Sequence, residues 1–275
     1  MKLPQNIEEI IEELIDQYQE EDRYNRPWII GFSGGKDSTV LLTLTWLALQ
    51  RLKEQGRPLT RQVYVVNNDT LVENPVIEEY VTGVLDMISN AAKEQGLPVT
   101  VKVTTPALED TFWSCVIGKG YPAPNNSFRF CTEKMKIKPT SAFITSQVAA
   151  DGEAIVLVGT RYDESQRRSL SIKRHEIKGH RLSKHPLNAN TYTYAPIKSL
   201  MLEEVWWIIN AIPSPWVAIF LGIVGTDVAC CPKRARWQPE VNPLVALFDG
   251  EDFLFEDDAV QLRDIVLEGF AVCLV

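Results

Sequence analysis

The chain has 275 residues, 45% hydrophobic and 23% charged, which supplies apolar side chains for one large domain or two small ones and excludes wholesale disorder. A formal net charge of −8 excludes charge-driven nucleic-acid binding by the surface as a whole, though not a local basic patch. The five cysteines, Cys115, Cys131, Cys230, Cys231 and Cys273, are odd in number and include no Cys-x-x-Cys pair; this argues against a disulfide framework and a Cys-rich zinc site.

In chain order, Met1 to Ile15 carries acidic residues where a secretory signal needs a basic end and an apolar run, and no stretch reaches the roughly 18 apolar residues of a membrane span. The expectation is a cytoplasmic protein with no membrane partner. Ile7, Ile10, Ile11, Leu14, Ile15 and Tyr18 recur at helical spacing between Glu and Asp residues, predicting an amphipathic first helix. Pro27 to Phe32 reads as a short buried strand, Ser33 to Asp37 as a turn, and Ser38 to Leu52 as a helix. Gln62 to Asn67 is predicted as a second strand, Pro75 to Ala92 as a helix with Pro in its first turn, and Val99 to Thr104 as a third strand. Gly118 to Ser127 reads as a loop. Cys131 to Ala149 is predicted helical, interrupted early by Pro139. Ala154 to Gly159 is a continuous apolar run suited to a buried parallel strand. Ser165 to Tyr192 lacks any apolar period and breaks the alternation. Short strands alternating with helices predict a doubly wound α/β fold, a mainly parallel sheet with helices on both faces that binds ligands outside the carboxyl ends of its strands.

The chemically informative stretches fall at or just after strand ends. In Ser33-Gly34-Gly35-Lys36-Asp37-Ser38, Gly34 and Gly35 allow positive φ and close backbone approach. Successive amides at a helix start then form an anion nest reinforced by the helix dipole. Lys36 adds a mobile cation, and Ser33 and Ser38 add hydroxyl donors. Asp37 either caps the helix or helps hold Mg²⁺. The spacing is neither that of the common P-loop nor Gly-x-Gly-x-x-Gly. Asp69, in Asn67-Asn68-Asp69-Thr70, suits Mg²⁺, ribose or plain turn chemistry. Arg129, Lys134, Lys136 and Lys138 surround Cys131, a setting that favours thiolate and an anionic substrate; the alternative is a buried structural cysteine beside a solvated basic face. In Gly159-Thr160-Arg161-Tyr162-Asp163-Glu164-Ser165-Gln166-Arg167-Arg168, Gly159 permits close approach, Arg161 and Arg168 can fork onto phosphates, and Asp163-Glu164-Ser165 can cap a helix. Arg161 to His185 holds eight Lys or Arg against three acids, an excess of five positive charges that suits either a DNA-backbone contact or a solvated loop. His175, His180 and His185 stand five apart, on different faces of any helix, which argues against zinc.

Ser33 to Ser38 resembles the PP-loop of the ATP pyrophosphatases, a superfamily that includes phosphoadenylylsulfate reductases, ATP sulfurylase small subunits and several sulfurtransferases. Asn67-Asn68-Asp69-Thr70, Arg129-Phe130-Cys131-Thr132-Glu133-Lys134-Met135-Lys136-Ile137-Lys138-Pro139 and Gly159 to Arg168 are most similar to the sulfurtransferase-type members of bacterial DNA phosphorothioation, DndC and SspD. Tyr194-Ala195-Pro196-Ile197 and the Glu203 to Trp207 stretch are similar to the segment that closes the reductase-like domain, with Trp206 as ordinary core. The resemblance implies an adenine-nucleotide α-hydrolase-like fold over residues 1–212, followed by a segment, 213–275, of uncertain role. It implies ATP and Mg²⁺ as cofactors and cleavage between the α and β phosphates. Lys36, Asp37, Cys131, Arg161 and Arg168 would be catalytic. Ser33 to Ser38, Asp69, Arg129, Lys136, Gly159 and Arg161 would contact the nucleotide, and Asp37 and Asp69 would hold Mg²⁺. The implied partners are a cysteine desulfurase as sulfur donor, other phosphorothioation proteins, and DNA through residues 161–185. DndC-like proteins carry clustered cysteines associated with an iron–sulfur cluster. Here Cys230, Cys231 and Cys273 have the wrong spacing, and Trp216 to Gly225, a basic stretch at Lys233 to Arg236 and an acidic one from Asp249 to Asp258 stand in that region; an iron–sulfur cluster is therefore doubtful. Two other functions fit the motifs: a reductase of adenylylated sulfate with Cys273 as nucleophile, and a nucleotide-binding subunit without turnover.

Overall fold

The computed structural model describes residues 3–21, 25–125, 128–177 and 179–216. The apolar positions 7, 10, 11, 14, 15 and 18 of the first helix, α1 (Gln5–Gln19), are all buried. The stripe packs on α2 (Lys36–Glu54), where Arg51 grips both oxygens of Glu8 at 2.6 and 2.9 Å. Between them β1 (Trp28–Gly31) is buried at every residue, as a strand covered on both faces must be. It pairs in parallel with β2 (Val63–Asn68) on one side and β4 (Ala154–Leu157) on the other. Beyond β2 lies the edge strand β3 (Val99–Thr104), reached through α3 (Pro75–Glu94). Asn74 caps α3, its side chain accepting from the amide of Val76. Beyond β4 come β6 (Thr191–Tyr194), parallel, and β5 (Leu182–Lys184), antiparallel to β6. The order is β3-β2-β1-β4-β6-β5.

The helices divide between the two faces. The α1, α2 and α3 helices and the closing α6 (Leu202–Ala211) share one large core with β1 and β2, and Trp206, 7% exposed, belongs to it. The other face is covered by α4 (Lys138–Asp151), whose Ile144 meets Ile29, Val66 and Val156. This is the doubly wound, mainly parallel sheet expected. The core continues past residue 212: Trp216 is 1% exposed and stacks edge-on against Trp46 of α2 at 4.9 Å. The remaining readings for the tail, with Cys230, Cys231 and Cys273, lie outside the described residues. No helix among the described residues is long and apolar enough to cross a membrane.

Cys131 to Ala149 is helical as expected, and its early irregularity is a π-helical turn, Thr132–Ile137, that passes directly into α4 at Lys138 with Pro139 next in line. One stretch differs from expectation. Ser165 to Tyr192, without apolar period, nevertheless forms α5 (Gln166–His175), β5 and the start of β6. The α5 helix has no buried residue, so no apolar stripe marks it in the sequence. Its ends hold it instead: the Ser165 hydroxyl accepts from the Arg168 amide at 3.2 Å, and Lys173, Arg174 and His175 complement the dipole in the last turn.

Residues 105–125 and 128–130 form a satellite beyond β3, with Phe112, Tyr121, Phe128 and Phe130 packed ring on ring at 5.3–6.0 Å. Asp110 anchors it. Lys134 and Lys138 donate to its two oxygens at 2.6 and 2.8 Å, and Lys119 lies 3.7 Å away. The hydrogen bond from Lys134, then that from Lys138, holds the Asp110 carboxyl down at about 2. The clamp's contribution to stability is therefore complete above the ordinary carboxylate value near ~4 and is lost as pH falls towards about 2. Asp110→Asn is expected to be less stable than wild type at neutral pH, and urea titrations at decreasing pH should show the difference closing between those two values. A difference that persists unchanged at the acid end would remove the clamp.

Candidate active site

The chain order changes direction at β1: β2 lies on one side of it and β4 on the other, so a crevice opens between the carboxyl ends of β1 and β4. Ser33 to Ser38 occupies that crevice. Gly34 adopts φ +77°, and a Cβ there would sit 3.1 Å from the side chains of Tyr80 and Val81; conformation and space both demand glycine. The turn is tied internally. The Ser38 hydroxyl donates to the Gly35 carbonyl at 2.9 Å and lies 3.2 Å from the Ser33 hydroxyl, which accepts from the Gly35 amide at 3.4 Å. Tyr80 on α3 donates to the Gly34 carbonyl at 3.0 Å, and burial pushes its phenol well up. Asn67, buried at the end of β2, donates to the Phe32 carbonyl at 2.8 Å. The turn and the helix N-terminus behind it are thus held from β2 and α3 as well as from within, and a helix N-terminus so placed suits an anion.

Across the crevice, Gly159 follows β4. A Cβ on it would approach the Asp37 carbonyl oxygen to 3.1 Å and the Ser38 nitrogen to 3.3 Å, so the two strand ends touch backbone to backbone. Two residues on, Arg161 is buried, its side chain 2% exposed. Its Nε donates to Asp37 Oδ1 at 2.7 Å, and Nη1 donates to the Leu200 carbonyl at 3.1 Å and lies 3.6 Å from Asp163. The other oxygen of Asp37 lies 3.7 Å from Lys36 Nζ. Glu164 completes the group: burial pushes its carboxyl up, Arg168 opposes that, and the charge of Asp37 adds to the rise. Arg168 Nε stands 3.4 Å from Glu164.

The structure therefore brings together Ser33 to Ser38, Gly159 and Arg161, with Arg168 alongside through Glu164. Asp69 lies at the carboxyl end of β2, where its side chain accepts from the Leu71 amide at 2.8 Å and closes the turn that carries Leu71 at φ +62°. Cys131 is a free, half-buried thiol just before the π-helical turn; no hydrogen bond among the described residues joins it to the phosphate turn. Arg129 is half-buried in the same segment. Lys136 lines a separate cavity together with Arg168. Sequence reasoning read Glu164 only as a cap and passed over Tyr80 and Asn67; Asn67 ends a predicted strand and so had a positional signal, whereas Tyr80 had none. Among the described residues no three His, Cys, Asp or Glu side chains are grouped to hold a metal ion. His175, His180 and His185 do not share a helix, because α5 ends at His175, and all three line that cavity.

A mainly parallel sheet with a glycine turn of this kind at its switch point defines the class: a doubly wound α/β domain with its candidate site at the carboxyl ends of the strands. The chain belongs to the phosphoadenosine phosphosulfate reductase domain family, whose model matches residues 27–220. An uncharacterized protein, MJ0066, of Methanocaldococcus jannaschii is 30% identical over 154 residues, 56% of this chain and 27% of that protein; the match spans about a quarter of that relative's length. Among solved structures, the phosphoadenylyl-sulfate reductase of Candida auris in its phosphate complex is 13% identical, covering 79% of this chain and 92% of that one at a TM-score of 0.42. The U34-tRNA thiolase NcsA of Methanococcus maripaludis, with its [4Fe-4S] cluster, is 14% identical, covering 97% and 78% at 0.40.

Because Gly159 touches the backbone of the turn, Gly159→Ala is expected to displace it. Overpacking of this kind costs about 1–3 kcal/mol. Melting temperature should fall modestly, and affinity for ATP, measured by calorimetry, should fall by more than the stability loss alone explains. Wild-type affinity in the variant would show that the close approach does not shape the turn.

Proposed function

We propose that the chain is an ATP pyrophosphatase that transfers AMP from ATP to an acceptor oxygen and releases pyrophosphate. The observation that carries this reading is the Ser33 to Ser38 turn itself: a helix N-terminus with Lys36 at its first position, wedged at the switch point against Gly159. The β and γ phosphates would rest on the amides there and on Lys36. The acceptor oxygen attacks the α-phosphorus, and pyrophosphate leaves from the opposite side. Preorganised charge at the points where negative charge develops is the main source of rate, and here Lys36 and Arg168 supply it. Arg161, with two nitrogens committed to Asp37 and Leu200, acts as a positioning residue for the turn. Asp69, Arg129 and Lys136 would complete the nucleotide contacts in this reading.

Mg²⁺ typically binds nucleotides through one or two carboxylates, phosphate oxygens and water. Asp37 fits this role through the oxygen not held by Arg161, and Asp69 through the oxygen not used in its turn; the ion would neutralise charge on the triphosphate. In the sulfur-transfer version of this chemistry the acceptor is an oxygen of the DNA backbone. Sulfur from a cysteine desulfurase, held as a persulfide on Cys131, then attacks the activated phosphorus and displaces AMP, and an external thiol reduces the S–S bond so formed to free Cys131 and leave the phosphorothioate, in concert with other phosphorothioation proteins in the cytoplasm. The similarity of three motifs to the phosphorothioation enzymes supports that version, as does the basic excess over residues 161–185.

The direct test is to incubate the purified protein with ATP and Mg²⁺ and identify the products. AMP and pyrophosphate are expected. Thiol-dependent sulfite release from an adenylylated sulfate would make it a reductase instead, and tight ATP binding with neither product would make it a binding subunit. Lys36→Ala is expected to lower pyrophosphate release by about 10²-fold or more with an unchanged melting temperature; wild-type turnover would remove the phosphate contact. Cys131→Ser should leave ATP binding intact and impair sulfur transfer, and persistent transfer would reduce Cys131 to a wall of the pocket.

A further inference from the structure

A cavity of about 180 Å³ lies on the α4 face, bounded by α4, α5, β4 and the β5–β6 edge. Its walls are mainly apolar, with Ile144, Val156, Ile172 and Leu182 among them. Two side chains that line it keep a buried polar atom without a hydrogen-bond partner, Arg168 Nη1 and Thr193 Oγ1. Buried polar groups are ordinarily satisfied, and each exception calls for an explanation. Two exceptions around one cavity have a common one: a ligand that supplies both partners.

The register orders these groups along the cavity. Thr193 pairs with Val156, midway along β4. Thr160 lies just past the carboxyl end of β4, beside Gly159 and hence beside the phosphate turn, and Arg168 is tied there through Glu164. His185 lies towards the other end, where its amide pairs with Thr191. The Nδ1 atom of His185 accepts from the amide of Asn188 at 3.1 Å and that of Leu187 at 3.3 Å; burial holds the ring down in its neutral form, with its proton on Nε2. The cavity thus has apolar walls and a largely cationic rim, with Arg168 and Arg181 towards the carboxyl end of β4 and Lys184 beside the neutral His185 at the other end. An apolar-faced ring with a hydrogen-bonding edge and an attached phosphate matches both walls and charge. The volume is below the roughly 300–1,000 Å³ of pockets for drug-sized ligands, so it takes one ring system and not two.

We propose that this cavity is the acceptor subsite and takes a nucleotide unit, with its heterocycle between α4 and α5 and its phosphate on Arg168. The inference rests on the ATP pyrophosphatase reading for the second ligand's role, and on the cavity alone for its existence. The phosphate is already an oxyanion. One of its oxygens forms a bond to the α-phosphorus of ATP while the α–β bridging P–O bond breaks, and pyrophosphate departs with the electron pair; no proton or electron need be supplied. A free mononucleotide and a nucleotide within a strand present the same chemistry.

The test is calorimetric titration of the whole protein with the four deoxynucleoside 5′-monophosphates and, separately, a short single-stranded DNA oligonucleotide. Each is run with and without saturating α,β-methylene-ATP, which cannot be cleaved. Binding of at least one probe alongside the ATP analogue is expected. Ile172→Trp, which fills the cavity, should weaken it at least tenfold, and Thr193→Val should weaken it by about 2- to 10-fold, as the loss of one hydrogen bond does; neither should change affinity for the ATP analogue. Monophosphates that bind as tightly as the oligonucleotide identify a free nucleotide as the source; tighter binding of the oligonucleotide identifies a strand. The proposal is overturned if no probe binds, if the ATP analogue displaces the probe, or if Thr193→Val, or a folded Ile172→Trp, binds as wild type does. Probe binding without pyrophosphate release would instead overturn the reading of the turn and leave the site standing.

Discussion

The site depends on one buried ion pair. Asp37 opens the helix after β1, and Arg161 follows β4, 124 residues later in the chain. Their 2.7 Å contact, with the arginine 2% and the aspartate 12% exposed, closes the crevice between the strands on either side of the switch point. A buried pair is weak evidence of net stability, because desolvation offsets attraction, yet leaving one partner alone is strongly unfavourable, about 3–5 kcal/mol. The pair therefore acts as a constraint on geometry. The guanidinium can satisfy Asp37 and the Leu200 carbonyl together only when β1, β4 and the approach to α6 are in register.

With the pair in place, the rest of the turn has few choices. Gly159 must lack a Cβ because the Asp37 carbonyl already stands at 3.1 Å from where it would be. Gly34 must turn back under Tyr80, whose hydroxyl holds the Gly34 carbonyl away from the amides. The Ser33 and Gly35 amides are taken up within the turn by the hydroxyls of Ser38 and Ser33, so the polar contacts in the crevice orient backbone, which is why glycine and serine dominate this turn.

The parts of this arrangement that were legible in the sequence are those that local physics fixes. The apolar stripe of α1, the buried runs of β1 and β4 and the strand–turn–helix order at Ser33 to Ser38 each bury apolar surface or fix φ, and each leaves a pattern. The role of Arg161 was not legible in the same way: an arginine among glycine and acids reads as a phosphate fork, and only its burial against Asp37 turns it inward. The α5 helix was missed because hydrophobic periodicity records burial, and none of its residues is buried. The three histidines do not share an element, since the chain leaves α5 at His175 and returns as a strand before His185.

The two faces of the sheet are built to different standards. On the α1–α2–α3–α6 face the core is continuous from Ile7 to Trp216, dense enough that most changes of volume would be felt. On the other face Ile144 is the one fully buried residue of α4, α5 has no fully buried residue among those described, and a cavity remains between them. An apolar void is paid for in lost dispersion contacts, and a folded chain under no other demand would fill it with a larger side chain. The Ser33 to Ser38 turn draws its rigidity from the dense face through α2, whereas α5 and the β5–β6 edge, which wall the cavity, contribute least to the core, so substitutions in them cost the fold least.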